Sequence, residues 1–176
     1  SNKNNFEYIY TSNHLNLGTF HPIGSSKKFI TNKLKVKTYS FSNLFIKHDF
    51  PDLIRMDVEG HEVKIFEDLF LYKKKFKNYP MICFETHLTK YTKKNSMNNI
   101  LKKLFTIGYY VKFASSSSIR GTKIMEDKLK YSPISDTIYT DEEKRKIYKD
   151  INNNDALYLI CRSGGLRTVL LAKKNK

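Results

Sequence analysis

Scarcity bounds this chain before any motif does. Its 176 residues hold two cysteines, Cys83 and Cys161, set in the apolar runs MICFE and LYLICR. Neither has a C-x-x-C partner or a histidine at zinc spacing, which argues against a metal site and against a disulfide framework. Both are expected as reduced, buried thiols of a cytoplasmic protein. No apolar run reaches the roughly 18–20 residues of a membrane span, and the N-terminus SNKNNFEY lacks a signal-peptide core, so a soluble protein with no membrane partner is expected. Acidic residues are outnumbered, 17 against 32 Lys+Arg, for a formal net charge of +15. Arginine, the residue that forks onto phosphates and guanine edges, supplies only Arg55, Arg120, Arg145, Arg162 and Arg167. The lysines read as scattered clumps at 27–28, 73–75, 93–94, 102–103 and 173–174, without one stripe. Together with abundant Asn and Ile they fit AT-rich codon usage better than a nucleic-acid surface. A basic nucleic-acid-binding protein stays open as an alternative, one that would lose binding steeply with salt.

What is present is enough for one core. Hydrophobic residues make up 40 % and aromatics 14 %, so residues 1–176 are expected to fold as a single domain. Strands are predicted at Phe6–Tyr10, Lys35–Tyr39, Leu53–Val58, Met81–Glu85, Tyr109–Ala114 and Ala156–Arg162. Helices are predicted at Ser40–Lys47, burying Phe41, Leu44 and Phe45, at His61–Phe76, closing in Lys73-Lys74-Lys75, and at Ser96–Ile107, stopped by Gly108. Thr140 and Glu143 have capping-box spacing, which predicts a surface helix over Asp141–Ile151. Residues 115–138, opening on four serines, read as an irregular loop insertion. The alternation of strand and helix in the centre implies an α/β sheet with parallel central strands.

In such sheets ligands gather beyond the carboxyl ends of the strands. Two segments qualify, Arg55-Met56-Asp57-Val58-Glu59-Gly60-His61-Glu62 and Phe84-Glu85-Thr86-His87. If their strands are neighbours, Asp57, Glu59, Glu85 and His87 converge, a cluster able to accept hydrogen bonds from a cofactor, take a hydroxyl proton or hold a cation. Spacing alone equally allows Glu59 and Glu62 to serve as helix caps and dipole partners.

The stretch Asp52-Leu53-Ile54-Arg55-Met56-Asp57-Val58-Glu59-Gly60-His61-Glu62-Val63 resembles the signature of FkbM-type methyltransferases, with Arg55 in place of the usual Lys. Val36–Leu44 is similar to the family's upstream V-x-x-x-x-L-D-x-L segment. Met81–His87 resembles its next strand, ending in Glu-x-His, and Asp155–Ile160 its last. The resemblance spans about residues 5–162. It implies a Rossmann-like S-adenosylmethionine (SAM) methyltransferase sheet, mostly parallel with an antiparallel last strand, and O-methylation of a sugar or small metabolite. It further implies Asp57 and Glu59 beside the SAM cofactor, and Glu85 and His87 flanking the acceptor hydroxyl. His87 is then the base, since its ordinary pKa lies near neutrality. His61 is expected on the solvent side, and His14, His21 and His48 carry no pattern. The metal expectation is none.

One departure stands out. None of the seven glycines forms G-x-G or a comparable turn after a strand, and the room before Val36 suffices for one strand, not three. The first strands and the glycine-rich cofactor loop are expected to be missing, leaving Leu53–Val58 as an exposed sheet edge. A second copy, or an N-terminal partner segment, would cover it. A non-catalytic binding or assembly module of the same fold is the other reading. In such sheets the last strand inserts beside the fifth, so Cys83 and Cys161 are expected close together.

Overall fold

The sequence N-F-E-Y-I-Y alternates polar and apolar residues, and so does I-T-N-K-L-K-V-K-T; both become strands. The computed structural model describes residues 5–12, 18–20, 30–46, 51–72 and 79–174. Strand β1 (Asn5–Ser12) lies between β2 (Gly18–Thr19) and β3 (Ile30–Thr38) in a small antiparallel sheet. The Thr38 hydroxyl donates to the Asn5 carbonyl at 2.9 Å and closes its far end. Helix α1 (Phe41–Ile46) follows; the Phe41 amide donates to the Asp68 carboxylate, and Phe41 packs on the core. Leu44 is exposed, contrary to the sequence reading, and the side chain of Phe45 lies outside the described residues.

The second sheet holds the core. Strand β4 (Leu53–Met56) runs parallel to β5 (Met81–Glu85), joined by helix α2 (Glu62–Tyr72). Helix α3 (Met97–Thr106) starts at Ser96, whose hydroxyl accepts from the Asn99 amide, and ends at Gly108 with φ +97°. It leads into β6 (Tyr109–Ser116). Strand β9 (Ile147–Ile151) pairs with β6, and the last strand, β10 (Leu166–Lys173), lies between β5 and β6. The order is β4-β5-β10-β6-β9. The row Met56, Phe84, Val169, Ala114 and Tyr148 crosses all five strands in register and is buried throughout. Its neighbour row, Arg55, Cys83, Leu170, Phe113 and Lys149, points the other way and is exposed or half-buried. Period-two alternation therefore gives the sheet one packed face. The core on that face is completed by Val63, Phe66 and Leu69 of α2 and Met97, Leu101 and Leu104 of α3, with the Phe66 ring edge-on to Phe84 at 5.6 Å.

Four expectations are corrected. The class is α/β, but the sheet is not mostly parallel: only the β4–β5 pairing is, because β9 and β10 both run against their neighbours. Ala156–Arg162 is not a strand. Helix α5 (Asn153–Tyr158) is capped by the Asn152 side chain and continues as a π-type turn through Ser163, and the strand comes after Gly164-Gly165. Cys161 therefore sits in a helical turn, while Cys83 pairs with Leu170; both thiols are free and only half-buried. Asp141–Ile151 is not a helix. Asp141 and Glu142 take φ of +48° and +62°, which makes the tight turn of a hairpin between β7 (Ile138–Thr140) and β8 (Glu143–Arg145). The stretch 115–138 is not irregular throughout, since α4 (Ile119–Lys123) and a π-type turn fill 119–128.

The outer edge of β4 has no strand partner among the described residues. No described helix is long and apolar enough to cross a membrane. Lys73-Lys74-Lys75, His14, His21 and His48 lie outside the described residues.

Candidate active site at the ends of two parallel strands

Because β4 and β5 are parallel neighbours, both finish at the same edge of the sheet. Beyond β4 the chain turns sharply through Glu59 (φ +52°) and Gly60 (φ +94°), and the His61 amide donates back to the Val58 carbonyl at 3.0 Å. Asn95 ties this turn to the chain beyond β5, its amide donating to the carbonyls of Gly60 at 3.0 Å and Lys90 at 3.1 Å. A methyl group at Gly60 would stand inside van der Waals contact of Lys90 Cβ, in a backbone conformation that L side chains rarely adopt. Gly60→Ala is therefore expected to cost about 1–3 kcal/mol, read as a lowered urea midpoint; an unchanged midpoint would show that the turn can relax.

Beyond β5 the chain is pinned to β10. The Thr86 hydroxyl donates to the Leu166 carbonyl at 2.6 Å, and its amide to the Arg167 carbonyl at 2.8 Å. The His87 amide donates to the Tyr91 hydroxyl at 2.9 Å. These anchors bring the predicted residues together: Asp57, Glu85 and His87 each offer one ligand atom, all within 4.8 Å of one another. Glu59 Oε1 is 3.5 Å from His87 Nε2.

Two residues complete the cluster that sequence reasoning did not single out. Glu62, read as a helix-end residue, is fully buried; its Oε1 accepts from the Gly60 amide at 3.3 Å and meets His87 Nδ1 at 2.9 Å. Arg167 of β10 places its guanidinium 2.6 Å from Glu85 Oε2. Nothing local marks Arg167, because only the long-range pairing of β10 with β5 brings it here.

The charges set the protonation states. Burial pulls the His87 pKa down, but hydrogen bonds to Glu59 and Glu62 outweigh it and raise the value to about 9. His87 is thus an imidazolium at neutral pH, and the near-neutral pKa that recommended it as a base does not hold here. The same contact lowers Glu59. Burial raises the Glu85 carboxyl, with Asp57 and Asp141 adding to the effect and Arg167 opposing it. Asp141, at the tip of the β7–β8 hairpin, therefore belongs to the surroundings of the site. Asp57, Glu85 and a deprotonated His87 form a donor set able to hold a divalent cation, and Arg167 sets a cation of the protein's own beside Glu85.

His61 is not on the solvent side. It is buried, its ring tilted against that of Phe20 with centroids 4.8 Å apart and its Nε2 4.0 Å from Glu7, so the small N-terminal sheet rests on the start of α2. The cysteines are poor nucleophiles: burial raises Cys83, and raises Cys161 to about 11.

Comparison with known proteins adds one match. The model of the Methyltransferase FkbM domain family matches residues 2–111, which include β1 through the start of β6 and every acidic residue of the cluster. No curated protein and no solved structure matches the chain.

Proposed function

Because the chain belongs to the FkbM methyltransferase family, we propose that it transfers a methyl group from SAM to a hydroxyl of a sugar or small metabolite. The observation that carries this reading is the convergence of Asp57, Glu85 and His87 at the ends of two adjacent parallel strands. The reversed last strand, seated between β5 and β6, agrees with a Rossmann-like methyltransferase sheet.

The residues fit one end of the cofactor. Asp57 and Glu59 offer carboxylates to its ammonium and sulfonium, whereas no described turn offers its phosphate-free adenosine a glycine-rich cradle. When bound, SAM supplies an electrophilic methyl group. Glu85, whose pKa is raised toward the working pH, takes the proton of the acceptor hydroxyl. His87 stays protonated with its two N–H groups directed at Glu59 and Glu62, and so holds both carboxylates in place beside the acceptor. Arg167 keeps Glu85 in place through its 2.6 Å contact. The free cysteines fit a reducing compartment, the cytoplasm.

A second reading, a non-catalytic module of the same fold, draws on the missing glycine-rich turn and the open edge of β4. Calorimetric titration of SAM into the folded chain separates the two. Micromolar binding that is lost in Asp57→Ala supports the enzyme; a folded chain that takes up no SAM supports the module.

A further inference from the structure

The small N-terminal sheet carries chemistry that methyl transfer does not use. In the antiparallel register of β1 and β3, Phe6 stands opposite Lys37, Tyr8 opposite Lys35 and Tyr10 opposite Lys33. Opposite residues share a face, so three aromatic rings and three ammonium groups form one ladder. Lys33 Nζ lies 4.0 Å from the Tyr8 ring centroid and Lys35 Nζ 4.9 Å from that of Phe6, while Lys37 Nζ is 5.2 Å from that of Tyr39. Phe6, Tyr8 and Tyr39 are 55 %, 45 % and 49 % exposed, and all three lysines are exposed. Glu7, the one acidic residue in β1, β2 and β3, points the other way and meets His61. The ladder thus faces solvent with no carboxylate of its own strands on it. The sequence signal was K-L-K-V-K, a two-residue period hidden among the more visible lysine clumps.

We propose that this face binds single-stranded nucleic acid. Side chains on one face of a strand recur every 6.6–6.8 Å or so, which presents the ammonium groups as an extended row that a phosphodiester backbone can follow. The rings beside them offer stacking platforms that any base can use. Each lysine now rests on a ring, a weak contact at an exposed site, whereas base–aromatic stacking is stronger. An arriving strand therefore trades the ammonium for a base on the ring, and the freed lysine moves to the phosphate. A duplex gains nothing from the rings because its bases are already stacked, and the ladder has no arginine to read base edges. The inference is independent of methyl transfer.

Fluorescence anisotropy with a short labelled oligothymidylate tests it. Binding is expected to weaken with salt at a slope of about −2 in log K against log concentration, as three neutralised phosphates require. Replacing Lys33, Lys35 and Lys37 together by Gln should abolish that slope and most of the binding. Tyr8→Leu should cost about ten-fold in affinity with the slope kept. Lys93→Gln with Lys94→Gln, exposed lysines elsewhere, should change neither. Equal losses from the two lysine sets, tight binding of a duplex, or displacement of the oligonucleotide by phosphatidylserine vesicles would each overturn the proposal. Unchanged far-UV circular dichroism checks that the variants fold.

Discussion

Asp57→Ala is expected to lower methyl transfer on the order of 10²–10³-fold and to leave the fold intact. The two halves of that statement rest on different observations. Asp57 is exposed, one residue beyond the point where Met56 pairs with Phe84, so its carboxylate holds nothing in the core. Yet it lies within 4.8 Å of ligand atoms on both Glu85 and His87 and helps raise the Glu85 carboxyl. Removing it strips charge from the place proposed for the cationic donor, and makes Glu85 a weaker proton acceptor. Transfer of a labelled methyl group measures the first half and the thermal midpoint the second. Asp57→Asn separates charge from shape, since it keeps the size of the side chain and should fail nearly as badly. Normal turnover by either variant would remove Asp57 from the machinery and sink the assignment.

Glu62→Ala is expected to be the most destabilising single change at the site. It leaves a buried imidazolium and the Gly60 amide without their acceptor. Breaking a buried pair in this way costs about 3–5 kcal/mol, and the lower figure applies because Glu59 remains 3.5 Å from the other ring nitrogen. Urea denaturation gives the size, and pH gives the cause. A histidine whose pKa rises from 6.5 unfolded to about 9 folded contributes stability that is complete below about 6.5 and is lost as pH climbs to about 9. The parent chain should therefore lose urea midpoint across that window. Glu62→Gln, which keeps an acceptor oxygen but no charge, should lose less across the same window. A parent chain whose midpoint is flat from pH 6.5 to 9 would mean that His87 is neutral in the folded protein.

The parts of this molecule written locally could be read locally. Met81–Glu85 became a strand with the predicted bounds, and Ser96 with Gly108 framed α3 as their cap chemistry requires. Asp57, Glu85 and His87 were legible because strand ends can be located from sequence, and the parallel β4–β5 pair then does the rest. The failures are equally specific. A-L-Y-L-I-C-R is a short apolar run, which fits a buried strand or a buried helix alike, and the Asn152 cap decided for helix. Thr140 and Glu143 match a capping box, but Asp141 and Glu142 accept left-handed backbone angles and turned the segment into a hairpin. Arg167 joins the site through Glu85, on a strand far back in the sequence, and the titration of His87 depends on Glu62, 25 positions away. No local pattern carries them.

The last of the described strands in chain order occupies the middle of the main sheet. Until Leu166–Lys173 arrives, β5 and β6 have no common neighbour, and the register of Phe84 with Val169 and of Val169 with Ala114 has no means of forming. Assembly from the N-terminus can proceed only as far as the β4–α2–β5 unit and α3 with β6, two pieces that present bare edges to each other. The chain therefore has a contact order set by its topology, and closure waits on a long loop search that slows folding relative to a sheet of consecutive hairpins. During that wait the exposed strand edges of both pieces are open to pairing with other chains, so yield on refolding should fall with protein concentration well before stability does.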